Sequence, residues 1–556
     1  GAKELMYVRD TVNGSFSNIA LIPKDGATRY NIKFLQQRLI TVWVKEAIDG
    51  NSSSDMELVG IHNIITAGAN GIVTDSPEVA RRALAFYNHD TTIVRKPFLV
   101  AHRGAPKLAP ENTIEGCEIA FELGADTIEN DIYHTKADKD GKQYLVVMHD
   151  ETIDRTTNGS GKVFEKTLEE LSKYFVNKQF PIKYPNAKIP TLDQYFNKFT
   201  GKDQVIFVEI KGNDLVTADL YTDLVRRTGY DSHLVTISFE KEQLRRVNEM
   251  LPGMSLGFLY GGPQNTSNVY ESLRFALFNA QKSNSSFMPK YSYVSKEFLE
   301  ISKHRGMLIC PWTFNDKASI IKYFKMGISS ITTNFSQFFS DWAAELNSRN
   351  DEMSVKNGDS ISLKADVITY KGDIKEVVPD VVVLTCGDKL DVNNNTITAK
   401  KAGDAYVTLR YSAKLSEAQG DTYDLYTQPI KIHVESDETI LVEMPTPEFM
   451  EEVTPTPAPV PSVRVEPTLK IPTSSYSEEI KGHWAEQSVI DLSEKGFISG
   501  YKDGTIKLNK LITREEFIKL LLTAAGYEPS NKKKSSFSDN DKISKWALGY
   551  IIKASE

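Results

Sequence analysis

Short apolar runs alternate with amphipathic helical patterns between Phe98 and about Asn347. Eight of these runs have the length and composition of buried strands: FLVAHRG, DTIENDIYHT, YLVVMHD, VIFVEIKG, LVTISF, MSLGFLY, MLICPWTF and ISSITTN. Eight strands in roughly 250 residues predict an α/β TIM (β/α)8 barrel over residues 98–347. We expect one irregular crossover, because only a polar turn separates DTIENDIYHT from YLVVMHD.

The first 91 residues carry a smaller version of the same pattern. A window near residues 40–77 aligns with one near 308–334, and the pairs are Trp43 with Trp312, Gly68 with Gly327, and Thr74-Asp75 with Thr333-Asn334. Each window predicts strand, helix, strand and helix. We therefore interpret residues 1–91 as the C-terminal remnant of a degenerate barrel. The alternative is a chance match between two β/α segments.

The pattern changes again after the barrel. Residues 351–436 alternate in short strands with Gly and Asn turns, which predicts a β-sandwich. Residues 437–475 are rich in Pro, Thr and Glu and predict an extended linker. Residues 476–530 indicate a helix, a glycine turn, a loop and a second helix, and residues 531–556 begin a similar unit.

Composition and charge narrow the class of protein. The 556 residues exceed what one core supports, so several domains are expected. No apolar run approaches the ~20 residues of a membrane span, and a net charge of −8 argues against a nucleic-acid surface. Three cysteines without metal-ligand spacing are expected to be free thiols. The chain starts Gly-Ala-Lys, without a leader pattern, and we interpret it as a fragment whose signal peptide is missing.

Charged residues end four of the predicted strands in succession. They are His102 and Arg103, Glu129 and Asp131, His149 and Asp150, and Glu209 and Lys211. The carboxyl ends of barrel strands meet at one rim, where active sites of this fold lie. A buried charge needs a partner or a metal ion, so we expect these side chains to form one site.

Residue type suggests the chemistry of this rim. Glu129 and Asp131 alternate by two and so face the barrel interior, and with Glu209 they make an oxygen-only set. Such a set suits a hard divalent cation, Ca²⁺ or Mg²⁺, better than zinc. Arg103 offers a planar fork for a phosphate, and Lys211 offers a point charge.

Two histidines could supply the proton transfers that this chemistry needs. His102 and His149 are able to share proton transfers, one accepting a proton from the nucleophile and one protonating the leaving alkoxide. Together with a cation and an arginine they predict phosphodiester cleavage.

The motifs HRGAPKLAPENT, GADTIENDIYHTKADKDGKQYLVVMHDETIDRTTNGSGKV, VEIKG, IPTLDQYF and PWTFND resemble those of the glycerophosphodiester phosphodiesterase family. That family cleaves glycerophosphodiesters to glycerol 3-phosphate and an alcohol, commonly with Ca²⁺ or Mg²⁺. The resemblance implies the following roles: proton acceptor His102, proton donor His149, phosphate ligand Arg103, metal ligands Glu129, Asp131 and Glu209, and supporting group Glu111. We also expect Lys211 and Trp312 to contact the substrate. Direct attack by water and a cyclic-phosphate route both stay open.

Alternatives accompany these roles. Glu111 could instead cap the helix after PENT, and Lys211 could be an ion-pair partner of Glu209. Asn334 stands where the family usually has Asp, and we expect this departure to leave the other site residues untouched. Competing functions are a phosphatidylinositol phospholipase C-like lyase and a wall-bound scaffold with an inactive barrel.

The C-terminal third suggests a location. NNNTITAKKAGDAYVTLRY resembles bacterial immunoglobulin-like modules, and GHWA, GY.DGT and ITR.E resemble S-layer homology repeats. Such repeats bind anionic cell-wall polymers, and the resemblance implies Arg514 and Trp484 as polymer contacts. We therefore expect an extracellular, wall-attached bacterial enzyme. Its substrates would be glycerophosphodiesters from lipid turnover or glycerol-phosphate polymers of the wall.

Overall fold

The computed structural model describes most of the chain N-terminal to residue 437 and parts of the remainder. The described ranges are 2–46, 54–201, 203–265, 267–436, 480–481, 486–494, 497–498, 505–507, 512–532, 534–535, 537 and 543–555. The chain divides into two compact units, residues 1–442 and 443–556, and each is described by itself.

The N-terminal segment is a small β/α unit. Its strands are parallel in the order β1-β2-β3, namely β1 (Ile19–Pro23), β2 (Thr41–Lys45) and β3 (Gly71–Val73). Its helices are α1 (Ala2–Gly14), α2 (Arg29–Gln36), α3 (Ser54–Thr66) and α4 (Pro77–Leu84). The predicted order of strand, helix, strand and helix is present, and the interpretation as a barrel remnant stays a prediction.

The barrel follows. Its strands are β4 (Phe98–His102), β5 (Thr127–His134), β6 (Leu145–Val147), β7 (Val205–Ile210), β8 (Leu234–Ser238), β9 (Ser255–Tyr260), β10 (Ser286–Pro289) and β11 (Ser330–Thr333). Seven of them are parallel in the order β10-β9-β8-β7-β5-β4-β11. Single parallel bridges join Lys290 to Trp312 and Phe314 to Thr333, so the segment around Trp312 fills the eighth position and closes the barrel.

Two details of the predicted barrel are wrong. YLVVMHD is not a barrel position: β6 pairs antiparallel with β5, with Val147 opposite Ile132. A parallel crossover needs a dozen or more residues, whereas the short turn after β5 is enough for a hairpin. The position assigned to YLVVMHD belongs to VIFVEIKG, and the missing barrel strand is β10, whose Ser-Phe-Met-Pro sequence lacks a β-branched run.

Helices surround the barrel. They are α5 (Ile114–Glu122), α6 (Leu168–Leu171), α7 (Leu192–Phe199), α8 (Val216–Thr228), α9 (Lys241–Met250), α10 (Val269–Lys282), α11 (Lys296–Lys303) and α12 (Lys317–Lys325). Threonine caps fix where three of them begin: Thr113 accepts from Gly116 before α5, and Thr167 and Thr191 form capping boxes with Glu170 and Gln194 before α6 and α7.

The N-terminal unit closes the floor of this barrel. Leu39 is 4% exposed and packs in one apolar cluster with barrel residues that include Val100 and Val205. At the N-terminal end of β10, Ser286 donates a hydrogen bond to the Leu39 carbonyl, and Thr41 donates to the Gly306 carbonyl. Leu39 of the N-terminal unit is therefore part of the barrel core.

A β-sandwich region follows the barrel. Its strands are β12 (Ala343–Ser348), β13 (Glu352–Lys356), β14 (Ser360–Ser362), β15 (Ala365–Thr369), β16 (Ile374–Val377), β17 (Asp380–Thr385), β18 (Leu390–Asn393), β19 (Thr396–Ala399), β20 (Gly403–Lys414), β21 (Thr422–Tyr426) and β22 (Ile430–Glu435). They form sheets β12-β15-β16, β13-β22-β20-β17 with β21 on β20, and β14-β19-β18. Because β12 pairs with β15, this region begins eight residues before the predicted start at 351.

The second unit contains short helices. They are α13 (Glu486–Glu494), α14 (Arg514–Ala524) and α15 (Leu548–Ser555). Ile480 and Val489 are buried in a small core, and Glu515 accepts a hydrogen bond from the Ser544 backbone at 2.8 Å. The predicted linker 437–475 lies outside the described residues. Among the described helices, none combines the length and the apolar character that a membrane span requires.

Candidate active site

Three carboxylates meet at the carboxyl ends of β5 and β7. Glu129 and Asp131 point to the barrel interior from alternate positions of β5, and Asp131 lies opposite Glu209 in the register with β7. All three are buried, and one oxygen of each lies within 4.8 Å of the others. The sequence therefore predicted correctly which carboxylates come together.

The cluster is short of positive charge. Lys211 Nζ lies 3.0 Å from Asp131 Oδ1 and 2.5 Å from Glu209 Oε1, which is the ion-pair alternative left open for this residue. Glu129 Oε1 has no hydrogen-bond partner among the described residues. Burial and the neighbouring carboxylates raise the pKa of Glu129 well above its ordinary value and that of Glu209 to about 8.

Asp131 behaves differently from its two neighbours. Burial works against its charge, but Lys211 and His149 hold its pKa below the ordinary value. Asn112 also donates a hydrogen bond to Asp131 Oδ2 at 2.9 Å. An all-oxygen set with one ionised carboxylate and one unpartnered buried oxygen fits a hard divalent cation.

The turn after β4 places Arg103 against this cluster. Arg103 has φ +57°, a left-handed backbone that is uncommon outside glycine, and its backbone N–H donates to Glu129 Oε2 at 3.0 Å. Gly104 follows with φ +82°, where a Cβ would lie 2.8 Å from the Gly116 carbonyl carbon. The His-Arg-Gly sequence therefore lets the loop fold tightly enough to reach the carboxylates.

Glu111 links two arginines. It accepts from Arg103 Nη1 at 3.1 Å and from both terminal nitrogens of Arg155 at 2.8 and 2.7 Å. Burial opposes its ionisation, but the Arg155 hydrogen bonds and the Arg103 charge bring the net pKa below the ordinary value. Thr113, not Glu111, caps α5, so the capping alternative is wrong.

His102 is oriented by a residue that we expected to be irrelevant to it. Asn334 Oδ1 lies 2.8 Å from His102 Nδ1, and the Asn334 amide donates to Asn315. The expectation that Asn334 leaves the other site residues untouched is therefore wrong. An accepting amide oxygen places the proton on Nδ1 and leaves Nε2 as an acceptor. Burial and the nearby Arg103 charge lower the pKa of His102 to about 4.

His149 reaches the same rim from the hairpin. The Met148 backbone N–H donates to the Asp131 carbonyl at 2.9 Å, which brings the end of β6 back to the level of the carboxylates. His149 Nδ1 lies 2.6 Å from Asp150 Oδ1, and Asp150 in turn accepts from Arg155 Nε at 2.6 Å. Burial lowers the pKa of His149, and the charge of Asp131 and the Asp150 hydrogen bond oppose that shift.

A cavity of about 130 Å³ opens beside both histidines. Trp312 lines it, donates its indole N–H to the Met288 carbonyl at 2.8 Å, and meets Phe239 edge to face. Six of the charged side chains predicted at the rim also line it: His102, Arg103, Glu129, His149, Glu209 and Lys211. Sequence reasoning gave no role to Asn112, Arg155 or Phe239, although Asn112 and Arg155 lie within the PENT and ETIDRTT motifs.

A parallel barrel whose rim combines buried carboxylates, two histidines and an arginine defines an enzyme of phosphodiester chemistry. Comparison with known proteins agrees. Residues 102–337 match the profile described as the glycerophosphoryl diester phosphodiesterase family. A glycerophosphodiester phosphodiesterase of Caldanaerobacter subterraneus is 35% identical over 242 residues, which is 43% of this chain and 94% of that protein. The Bacillus subtilis glycerophosphodiester phosphodiesterase is 31% identical over 256 residues, 43% of this chain and 84% of that one.

The chain therefore belongs to the glycerophosphodiester phosphodiesterase family, whose members depend on a divalent metal ion. A crystal structure of the Agrobacterium tumefaciens glycerophosphodiester phosphodiesterase is 25% identical with a TM-score of 0.37, covering 44% of this chain and 99% of that chain.

A second match lies in the C-terminal unit. Residues 480–518 match the S-layer homology domain. Arg514 is the first residue of α14, directly after the Thr513 cap, and its side chain is exposed. Trp484 lies outside the described residues.

Proposed function

We propose that this protein is a cell-surface enzyme that hydrolyses glycerophosphodiesters to sn-glycerol 3-phosphate and an alcohol. The observation that carries the proposal is the buried carboxylate trio, with its unpartnered Glu129 oxygen, within reach of His102 and Arg103. An inactive scaffold would be expected to lose some of His102, His149 and the three carboxylates, and all five are present at one rim.

Glu129, Asp131 and Glu209 would hold the divalent ion, Ca²⁺ or Mg²⁺. When bound, the ion offsets phosphate charge and polarises a phosphoryl oxygen. Arg103 supplies a second positive group for the phosphate, because its Nε lies 3.6 Å from Asp131 Oδ2 at the edge of the carboxylate trio. Lys211 balances the charge of Asp131 and also contacts Glu209, and a substrate contact for it stays a prediction.

His102 acts as the proton acceptor. Its Nε2 carries a lone pair at neutral pH, because burial keeps the pKa of the ring low and Asn334 holds the proton on Nδ1. His149 acts as the proton donor, oriented by Asp150. In direct hydrolysis the water oxygen bonds to phosphorus and its proton passes to His102. The phosphorus–oxygen bond to the alcohol then breaks, and the leaving oxygen takes the His149 proton.

Release of glycerol 3-phosphate from glycerophosphocholine tests this function. The assay compares the protein with added Ca²⁺ or Mg²⁺, the protein with chelator, and the His102→Ala variant. Chelator-sensitive release that the substitution reduces by about 10²-fold or more is the expected result. Absence of release with every divalent ion would contradict the proposal.

The S-layer homology match supports a wall-attached location. We propose that the second unit binds an anionic wall polymer, and that the exposed Arg514 contributes a charge-assisted contact. Arg514→Gln should reduce co-sedimentation with purified cell walls, whereas Lys519→Gln on the same helix serves as a matched loss of charge. Equal binding by all three proteins would contradict the role of Arg514. We propose that Trp484 also contacts the polymer, and Trp484→Ala in the same co-sedimentation assay tests this role.

The domain organisation also remains a proposal. The strands β1, β2 and β3 are parallel and lie side by side in chain order. The last three positions of the barrel, namely β10, the segment around Trp312 and β11, have the same arrangement, which supports residues 1–91 as a barrel remnant. The sheets of residues 343–435 are antiparallel except for the parallel pair of β13 and β22, and this mostly antiparallel arrangement supports an immunoglobulin-like module.

A further inference from the structure

A second cavity, of about 410 Å³, adjoins the one beside the histidines. The two share Arg103 in their linings, and the second also reaches Asn334, the partner of His102. We call it the outer cavity. Its walls come from the loop after β4 and from residues 155–179, which lie between β6 and α7. A phosphodiester bound at Arg103 would therefore have one substituent towards each cavity.

The outer cavity is strongly cationic. Its lining contains one carboxylate, Glu111, and four cationic side chains, Arg103, Lys107, Arg155 and Lys178, among the residues that the structure describes. Both arginines already neutralise Glu111 by hydrogen bonds. The cavity thus keeps a net positive charge that nothing within its lining balances.

The two lysines account for the remaining charge. Lys107 and Lys178 are exposed. Lys107 lies with its ammonium 5.1 Å from the Phe335 ring centre, and Lys178 donates to the Asp154 carbonyl. No ion pair of either lysine occurs among the described residues, so both ammonium groups are available to an anion.

The contacts of the proposed proton donor indicate which half of the substrate enters here. His149 pairs with Asp150, and Asp150 pairs with Arg155, which lines the outer cavity. His149 itself lines the smaller cavity, but its partner Asp150 meets Arg155 of the outer cavity, so the alcohol that His149 protonates is able to extend into the larger outer cavity. The smaller cavity, walled by Phe239 and Trp312, is left for the glycerol that stays on phosphorus.

We propose that the preferred substrates are phosphodiesters whose leaving alcohol carries a further phosphate group, held by Lys107 and Lys178. This inference rests on the proposed function and names its substrate class. Two sources share this chemistry: glycerol-phosphate polymers and the deacylated head groups of lipids that contain two phosphates.

A matched substrate pair tests the inference. Glycerophosphoglycerol and glycerophosphoglycerol phosphate differ only in the terminal phosphate of the leaving alcohol. The wild-type kcat/KM should be about tenfold higher for the phosphorylated substrate at low ionic strength, and this ratio should fall as salt is added. In Lys107→Gln/Lys178→Gln the ratio should fall to near one. Lys139→Gln/Lys173→Gln removes the same charge from exposed positions outside the cavity and should keep the wild-type ratio.

Each other outcome has a defined meaning. Equal kcat/KM for both substrates in the wild type, or an unchanged ratio in Lys107→Gln/Lys178→Gln, would overturn the inference and leave the proposed function standing. Hydrolysis of neither substrate with any divalent ion would overturn the proposed function as well. A glycerol-phosphate hexamer distinguishes the sources, because a further rise in kcat/KM with length indicates a polymer and a plateau at two phosphates indicates lipid-derived substrates.

Discussion

Asn334 holds His102 through a 2.8 Å contact between its side-chain oxygen and the ring Nδ1. The contact spans 232 positions of sequence and joins the end of β4 to the residue directly after β11, and these two strands neighbour each other in the closed barrel. A neutral amide at this place orients the ring without adding the charge that an aspartate would add.

Substitutions of Asn334 should therefore distinguish its effect on the orientation of the His102 ring from the effect of a charge at this position. Asn334→Leu keeps a side chain of similar size but removes the hydrogen-bond acceptor. It should lower kcat/KM roughly 10- to 100-fold, which is part of the rate enhancement that a correctly positioned general base supplies. Asn334→Asp should retain activity but raise the pKa of His102, because a negative charge favours the imidazolium. The acidic limb of the kcat/KM profile should then move to higher pH by about one unit or more. An Asn334→Asp profile that superimposes on the wild-type profile would exclude this role.

The carboxylate trio predicts that Glu129→Gln affects stability in opposite directions with and without the metal ion. In chelator, Glu129→Gln should raise the melting temperature, because it removes a buried carboxyl group crowded by Asp131 and Glu209. Added Ca²⁺ or Mg²⁺ should stabilise the wild type by about 2.7 kcal/mol at 100 times Kd, and the variant by much less. Calorimetry with and without the ion measures both effects. Glu122→Gln, an exposed change at the end of α5, should behave as wild type, and a Glu129→Gln protein with an undiminished metal response would contradict the ligand role.

The proposed proton donor should matter most for poor leaving groups. His149→Ala should reduce kcat about 10² to 10⁴-fold with glycerophosphocholine, since an alkoxide must be protonated as it leaves. With a nitrophenyl leaving group the loss should be much smaller, because nitrophenolate departs without a proton. His102→Ala should impair both substrates, and the exposed His304→Ala should impair neither. Equal losses for the two substrates in His149→Ala would assign it another function.

The position of Leu39 in the barrel core predicts that the N-terminal unit stabilises the catalytic barrel. Leu39→Ala should destabilise the protein by about 2–5 kcal/mol, as expected for a leucine in a packed interior. Leu21, which is 57% exposed, provides the matched Leu→Ala control and should change stability little. The melting temperature of metal-loaded protein and the residual activity after heating report the barrel itself. Similar melting temperatures for the two variants would mean that the floor contact is dispensable.

His62 predicts part of the acid sensitivity of the fold. It is fully buried against Tyr87, and burial lowers its pKa from about 6.5 to about 4. A folded-state pKa below the unfolded value means that the unfolded chain binds the extra proton, so stability falls as pH drops through this window. The loss should be about 2 kcal/mol between pH 7 and pH 5. His62→Asn keeps a polar group near the Tyr87 hydroxyl but cannot titrate, so its melting temperature should depend less steeply on pH. Parallel pH dependences for the two proteins would contradict this origin.

The sequence by itself determined the barrel class and the principal members of the site. Strand periodicity and the charged residues at strand ends follow from local geometry, because alternate residues of a strand share a face and parallel strands end at a common rim. Glu129, Asp131 and Glu209 were therefore grouped correctly, and the two histidines were placed beside them.

Tertiary structure alone decided the remaining features. The hairpin of β5 and β6, the short β10, and the contact of Leu39 with the barrel floor depend on pairings between distant segments, which local pattern does not encode. The same reason applies to Asn334 on His102, to Arg155 on Glu111, and to Thr113 as the helix cap in place of Glu111. Hydrogen bonds between loops are fixed by where the closed barrel brings the strand ends, and only the folded chain specifies that arrangement.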